Sequence, residues 1–251
     1  MIAVIIQARM RSTRLPGKVF KSISGRPMLW HVLMRVRQAE SLDTIVIATS
    51  DEVADNPIAD FCAQEGVSCF RGNESDVLDR FYQAARWIGA DVIVRISADC
   101  PMIDPVVLDA VVTAYRKNRC DYACNAIHRT YPDGLDTEVF SFEVLEKAWK
   151  EASLKSEREH VTPYIWKNEA LFNLHHVMQE HDLSALRWTV DEPEDLTFVR
   201  RIYEHLYVPN AVFHMEDILR LLGTHPELST LNDGFTTNEG YQRSLENDGE
   251  K

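Results

Sequence analysis

The sequence predicts an α/β fold in three layers: a mostly parallel central sheet with helices on its faces. Two observations predict it. Through the first 120 residues, short runs rich in Val and Ile alternate with segments of helical period. Each helical crossover returns the chain in the same direction, which builds a parallel sheet rather than hairpins. Residues 2–6 are the first such run and read as a buried strand. Pro27 then opens a helix whose Leu29, Val32, Leu33 and Val36 share one face. Residues 44–48 are the second strand. Asp76 caps a helix carrying Leu78, Phe81, Ala85 and Ile88 on one side. Residues 91–96 are the third strand, and Asp104-Pro105 start a helix through Leu108, Val111 and Tyr115. Beyond Asp121 the pattern is mixed, with strands expected at 135–140, 171–176 and 186–190 and helices at 142–152 and 192–206. No Gly-, Ser- or Pro-rich linker interrupts the chain, so residues 1–229 read as one domain. The polar residues 230–251 read as an extended C-terminal tail.

Composition narrows the function classes. Acids outnumber bases by 39 to 27 in 251 residues, a net charge of −12. That excess opposes a nucleic-acid partner, whose binders present a basic face. The imbalance is uneven: residues 1–40 hold eight bases and one acid, leaving 19 bases and 38 acids for the rest. Among those eight, Arg35 and Arg37 fall on the first helix, where solvation is expected. No run of about 18 apolar residues is present, so no membrane partner is expected. The run at 2–6 is too short for a secretory leader. Five cysteines (Cys62, Cys69, Cys100, Cys120, Cys124) form an odd set without framework spacing. They suit reduced thiols, and a cytoplasmic location is the expectation. Cys120 and Cys124 are four apart, unlike the paired knuckles of structural zinc.

Sheets of this kind bind ligands at the carboxyl ends of their strands. The loop after the first strand carries the sharpest signal: Gln7-Ala8-Arg9-Met10-Arg11-Ser12-Thr13-Arg14-Leu15-Pro16-Gly17-Lys18. Four cations, two hydroxyls and a Pro-Gly turn suit a polyphosphate. Arg offers planar forks of donors, Lys a compact charge, and Ser12 and Thr13 orient oxygens. Exposed backbone N–H groups add to such a cradle. The loop is neither a Walker A sequence nor a G-x-G-x-x-G turn, because Val19 follows Gly17-Lys18. A solvated basic loop is the plainer alternative.

The run from Arg9 to Lys18 resembles the A-R-x-x-S-x-R-[LI]-P-G-K signature of sugar-activating cytidylyltransferases, the CMP-sugar synthetases. Gln7, in place of Pro, resembles the branch named after spore coat polysaccharide biosynthesis protein F. The likeness continues in order through nearly the whole chain: Arg71-Gly72-Asn73-Glu74-Ser75-Asp76-Val77-Leu78-Asp79-Arg80, Ser97-Ala98-Asp99-Cys100-Pro101, Tyr131-Pro132-Asp133-Gly134-Leu135-Asp136, Glu157-Arg158-Glu159-His160-Val161-Thr162 and Arg187-Trp188-Thr189-Val190-Asp191. The resemblance implies a nucleotide-diphosphosugar-transferase-like (Rossmann-like) sandwich, CTP as co-substrate, Mg2+ as cofactor, a small sugar or sugar-acid acceptor and release of pyrophosphate. It also implies a homodimer, for which the segment at 131–142 is a candidate contact. On this likeness Ala8, Arg9, Ser12, Thr13, Arg14 and Lys18 meet the nucleotide, and Arg9, Arg14 and Lys18 stabilise charge during transfer. Arg71 and Arg80 resemble the synthetases' base-proximal segment.

Nucleotidyl transfer needs a divalent cation, and magnesium takes carboxylate oxygens. Asp99 lies just beyond the third strand and matches the Asp of the synthetases' G-D-x-P motif, with Ala98 in place of Gly. Capping of the turn before Pro101 is its other role. Asp191 matches the first Asp of V-D-x-P-E-D-L, the second magnesium ligand. Asp191-Glu192-Pro193-Glu194 is equally a helix start, with Asp191 as cap and Glu194 three residues on. On the acceptor side, Asp133, Asp136 and Glu138 are placed to bond sugar hydroxyls, and Arg158 and His160 to meet an acceptor anion. Asp-Gly in a turn and a Ser156-x-x-Glu159 capping box are the structural alternatives there. Two rivals stand beside this reading. A glycosyltransferase of related fold would carry a D-x-D pair, but Asp99-Cys100-Pro101 lacks the second acid. A non-catalytic nucleotide-binding subunit would have no need to keep both acids and Lys18.

Overall fold

The computed structural model describes residues 1–235, 239–246 and 248. Its strands are β1 (Ile2–Gln7), β2 (Ser22–Ile23), β3 (Arg26–Pro27), β4 (Thr44–Ser50), β5 (Ser68–Gly72), β6 (Val92–Ser97), β7 (Tyr122–Cys124), β8 (Glu138–Ser141) and β9 (Leu174–His176). β2 and β3 pair as a small separate hairpin. The other seven form one sheet in the order β5-β4-β1-β6-β8-β7-β9. β8 runs antiparallel to β6 and β7, while the remaining ladders are parallel. The helices are α1 (Met28–Val36), α2 (Asn56–Glu65), α3 (Val77–Ile88), α4 (Pro105–Asn118), α5 (Phe142–Glu151), α6 (Lys155–His160), α7 (Pro163–Trp166), α8 (Pro193–Leu206), α9 (Met215–Thr224) and α10 (Glu239–Glu246).

The three layers follow from the period-2 geometry of β1. Ile2, Val4 and Ile6 pack with Leu29, Val32 and Leu33 of α1 and Leu108 and Val111 of α4. Ala3 and Ile5 point the other way, toward Leu78 and Phe81 of α3 and Leu145 of α5. Every one of these side chains is buried, and each large one contributes about 1.5–3 kcal/mol by leaving water. A third apolar cluster joins the hairpin residue Ile23, Leu135, Trp188 and Val190 to Phe198, Val199 and Ile202 of α8 and Ile218 of α9. This cluster lies beside the loops that leave β1 and β6, and so anchors them.

Several expectations change. Residues 186–190 form no strand: one isolated parallel bridge, Asp133 to Arg187, stands there instead. The segment is nevertheless tied at both ends, since Trp188 N–H donates to Asp133 O at 2.6 Å and Val190 N–H to Asp99 O at 2.8 Å. The expected strand at 135–140 starts only at Glu138, because the Asn125 side chain takes the ladder's place. It donates to Leu135 O and accepts from Thr137 N–H, both at 2.8 Å. The strand expected at 171–176 shrinks to β9. Arg35 is not solvated: it is 4% exposed, with Nε on Ile103 O and Nη2 on Phe213 O. Arg37 is exposed as expected. Val139 and Phe140 of β8 are fully buried in the chain's own sheet, so that part of 131–142 is withdrawn from any dimer contact. The tail expected to be extended from Thr230 instead contains α10, whereas residues 236–238, 247 and 249–251 lie outside the described residues. No helix among the described residues is long and apolar enough to cross a membrane.

Candidate functional site

The loop between β1 and the following 3-10 turn is closed by its own backbone. Gly17 sits at φ 67°, in the left-handed region that glycine enters freely, and its N–H donates to Met10 O at 2.9 Å. Asp55 pins the loop from the β4 side. It accepts from Met10 N–H at 2.7 Å and from the Thr49 and Ser50 hydroxyls. Ser12 has a local duty as well, its Oγ accepting from Leu15 N–H at 3.3 Å. The loop thus projects Arg9, Arg14 and Lys18 over the carboxyl ends of β1 and β6, along one wall of a cavity of about 1060 Å³. That volume is ample for a nucleotide and a sugar side by side.

Lys18 is the centre of the site. Its side chain is 12% exposed, and its ammonium donates to Asp99 Oδ2 at 2.7 Å, Asp191 Oδ1 at 2.8 Å and Val190 O at 2.9 Å. Burial alone would lower its pKa, but the two carboxylates outweigh burial and raise it. Burial likewise pushes Asp99 up, and Lys18 reverses this to hold it at about 2. Two carboxylates 92 residues apart in sequence therefore converge on a single cation. That convergence fits magnesium, which takes one or two protein carboxylates and fills its remaining positions from phosphates and water. No group of three or more His, Cys, Asp or Glu side chains suited to a metal occurs among the described residues.

Asp191 is available for this role because another acid does the capping. The α8 cap is Glu192, and Asp195 accepts from both Asp191 N–H and Glu192 N–H at 2.9 Å. The expected capping pair, Asp191 with Glu194, is thus displaced by one residue. Fully buried Asp195 is held by Arg187 through two 2.9 Å bonds, and Arg187 Nη2 also reaches Asp191 Oδ2 at 3.3 Å. Arg14 completes the cluster, at 3.1 Å from Asp191, 3.2 Å from Glu192 and 3.0 Å from Glu239 of α10.

Gly134 brings Asp133 to this place. Its φ is 113°, and a Cβ there would lie 2.6 Å from Thr189 N and Trp188 C. Only glycine permits so close a crossing of two backbones. Asp133 and Asp136 line the cavity with Arg129, which bonds Asp136 Oδ2 at 2.7 Å and lies 3.6 Å from Asp133. Burial and the Asp136 charge raise the Asp133 pKa to about 7, against the pull of Arg129 and Arg187.

On the far wall, Glu138 accepts from Arg95, Tyr122 and Thr162, so both its oxygens are engaged. Through these bonds it holds Arg95 at the cavity wall, which both residues line. His160 lines the cavity beside it, pushed down to about 4 by burial and by the Arg95 and Arg9 charges. Arg80 also faces the cavity, fully buried, with Nε and Nη2 bonding to none of the described residues. Burial and the neighbouring Arg9 charge lower its pKa to about 10.

The structure thus gathers Ala8, Arg9, Ser12, Thr13, Arg14, Lys18, Arg80, Asp99, Asp133, Asp136, Glu138, His160 and Asp191 around one cavity. Two expected site residues stand elsewhere. Arg71 clamps the loop after β4 through Ser50 O at 3.0 Å and Glu52 O at 2.8 Å. Arg158 is bound to Asp76, the α3 cap, at 3.0 Å and to Trp149 O at 2.7 Å. Neither lines the cavity, because fixed backbone carbonyls and a carboxylate take their donors. The Ser156-x-x-Glu159 box is also replaced. Glu157 caps α6, accepting from Ser153 N–H at 3.1 Å and Leu154 N–H at 3.2 Å. Sequence reasoning missed Arg95, Arg129, Thr162, Trp166 and Tyr241 in the wall. It also missed Arg187 as the holder of Asp191, although Arg187 stands in one of the ordered motifs.

Comparison with known proteins accords with this geometry. A family profile described as cytidylyltransferase matches residues 3–218. Spore coat polysaccharide biosynthesis protein SpsF of Bacillus subtilis is 34% identical over 238 residues, covering 91% of this chain and 97% of its own. A cytidylyltransferase from Leptospira borgpetersenii superposes with a TM-score of 0.87 at 31% identity, covering 94% of this chain and 99% of its own. A CMP:2-keto-3-deoxy-manno-octonic acid synthetase in complex with CTP shares the fold, with a TM-score of 0.60 at 19% identity, over 81% of this chain and 98% of its own.

Proposed function

The chain belongs to the cytidylyltransferase family, and from that premise we propose that it transfers CMP from CTP to a sugar or sugar-acid acceptor, releasing pyrophosphate. One observation carries the reading: a cationic loop and two carboxylates, one just past β6 and one just before α8, converge on Lys18 inside one large cavity. A hydroxyl of the acceptor attacks the α-phosphorus of CTP and gives up its proton to water, the bond to the bridging oxygen of the β-phosphate breaks, and pyrophosphate leaves with the electron pair. Arg9, Arg14 and Lys18 stabilise the charge that builds on the phosphates. Asp99 and Asp191 would hold Mg2+, which when bound neutralises triphosphate charge. Lys18 then exchanges its two carboxylates for phosphate oxygens. Arg187 keeps Asp191 aimed at the site throughout, through the bonds described above. Arg80, with two buried nitrogens unpaired among the described residues, supports a contact with the nucleobase end.

The likeness to SpsF supports a place in surface polysaccharide or glycan synthesis, carried out in the cytoplasm where CTP is made. A homodimer belongs to the same reading, and sedimentation of the purified protein tests it. The decisive experiment crosses CTP, ATP, GTP and UTP with a panel of anionic and neutral sugars and measures pyrophosphate. Release that requires CTP, Mg2+ and one sugar class is expected. Absence of pyrophosphate with every pair would overturn the reading. Transfer of sugar from a nucleotide-sugar, without pyrophosphate, would favour a glycosyltransferase.

A further inference from the structure

Two buried polar atoms, Arg95 Nε on β6 and Tyr241 Oη on α10, have no partner among the described residues. Both residues line the cavity, and His160 lines it with them. The His160 and Tyr241 rings meet edge-on at 5.2 Å, and Arg95 is the strongest charge acting on His160. Trp166 adds a second aromatic wall, 5.6 Å from the Tyr241 ring at 67°. A buried donor or hydroxyl without a partner costs stability unless something supplies one, so such atoms mark where a polar ligand sits.

Their position separates these atoms from the phosphate loop. In the strand order β4-β1-β6-β8, Ala54 and Arg80 flank the loop on the β4 side, while Arg95 and Glu138 stand on the β6–β8 side. With the triphosphate on Arg9, Arg14 and Lys18, nucleoside and acceptor occupy opposite sides of the loop. The Arg95 end is then left for the acceptor.

We propose that α10 forms the roof of the acceptor subsite, and that Tyr241 is a specificity-determining residue whose hydroxyl bonds an acceptor hydroxyl or ring substituent. The inference rests on the cytidyl-transfer reading and deepens it. The ligand it fits is a sugar with one apolar ring face. That face lies against Trp166 and the Tyr241 ring, while its polar substituents meet Tyr241 Oη and Arg95 Nε. α10 is held by contacts at both its ends. Ser244 Oγ donates to Glu159 at 2.8 Å and bonds His160 Nε2 at 2.9 Å. Glu239 meets Arg14 at 3.0 Å, which ties the roof to the phosphate loop.

Steady-state kinetics of wild type, Tyr241→Phe and Trp166→Leu, with the sugar found in the pyrophosphate screen, test this. Tyr241→Phe keeps the ring and removes one hydrogen bond, so the acceptor KM is expected to rise roughly 3- to 10-fold. The CTP KM and the calorimetric affinity for CTP stay unchanged. Trp166→Leu is expected to raise the acceptor KM as well, and circular dichroism of both variants shows that the fold is kept. An unchanged acceptor KM in Tyr241→Phe, or a rise in the CTP KM instead, overturns the assignment while leaving cytidyl transfer intact. No pyrophosphate from the wild type overturns the reading beneath it.

Discussion

Lys18 shares one ammonium among three oxygens, and its surroundings explain why a short motif can carry so much of the chemistry. Removing it takes away the cation that both carboxylates meet and that the proposed transfer sets against the phosphates. Lys18→Ala is expected to lower kcat roughly 100-fold, the scale seen when one preorganised donor is lost. Rapid-quench measurement of pyrophosphate checks this, and an unchanged rate would remove Lys18 from catalysis. Asp191→Asn is expected to raise the Mg2+ concentration needed for half-maximal rate about tenfold or more, with little change in melting temperature. Titration of the rate with Mg2+ checks it, and an unaltered metal dependence would leave Asp191 a structural residue. Asp99 was legible in the sequence because it sits just past a strand end that hydrophobic period locates, and Lys18 and Asp191 because each stands in a motif of recognisable order, Lys18 in the loop after β1 and Asp191 just before α8. Arg71 and Arg158 were not, because whether an arginine faces a cavity or a nearby carbonyl depends on distances set by the fold. The role of Asp195 was hidden likewise: Asp191 and Glu194 offered an equally good helix start one residue away.

At the scale of elements, long amphipathic helices and central strands were readable, and short or edge elements were not. β1, α1, α3 and α8 carry apolar side chains at clear periods. β5 is an edge strand without fully buried residues, and its Ser-Cys-Phe-Arg-Gly run gives no alternation to detect. α10 is polar on most faces, and only its tertiary contacts place it beside the cavity. Its docking is expected to depend on pH through His160, which bonds Ser244. The folded protein holds His160 at about 4, below its ordinary 6.5, because of burial and then the charges of Arg95 and Arg9, with Glu159 and Glu138 opposing. The unfolded chain therefore takes up this proton first as pH falls from 6.5 toward 4. Stability from this group is complete above pH 6.5 and declines across that window. Urea unfolding at pH 7.5 and 5 is expected to show a loss at pH 5 that His160→Gln reduces. Equal losses in wild type and variant would contradict the assignment.

For the whole molecule, the site exists because loops from both halves of the chain are brought over the carboxyl ends of the central strands and fixed by a shared core. Trp188 and Val190 are buried in that core while their backbone bonds Asp133 and Asp99. Gly134 permits the crossing, so Gly134→Ala is expected to be costly, on the order of 2–4 kcal/mol, lowering Tm by roughly 5–10 °C. Calorimetry checks it, and a shift under about 1 °C would show that the crossing can relax. The charge distribution gains a narrower meaning at this scale. Of the eight bases in residues 1–40, Arg9, Arg11, Arg14 and Lys18 line the cavity, whereas Arg35 is locked in the core. The most direct test of the proposed transfer is CTP-dependent, Mg2+-dependent release of pyrophosphate in the presence of a sugar acceptor. Purified protein is expected to release it with CTP and a matching sugar, and to fall to background when either is withheld. Release with CTP that is indifferent to every sugar, or none at all, would contradict it.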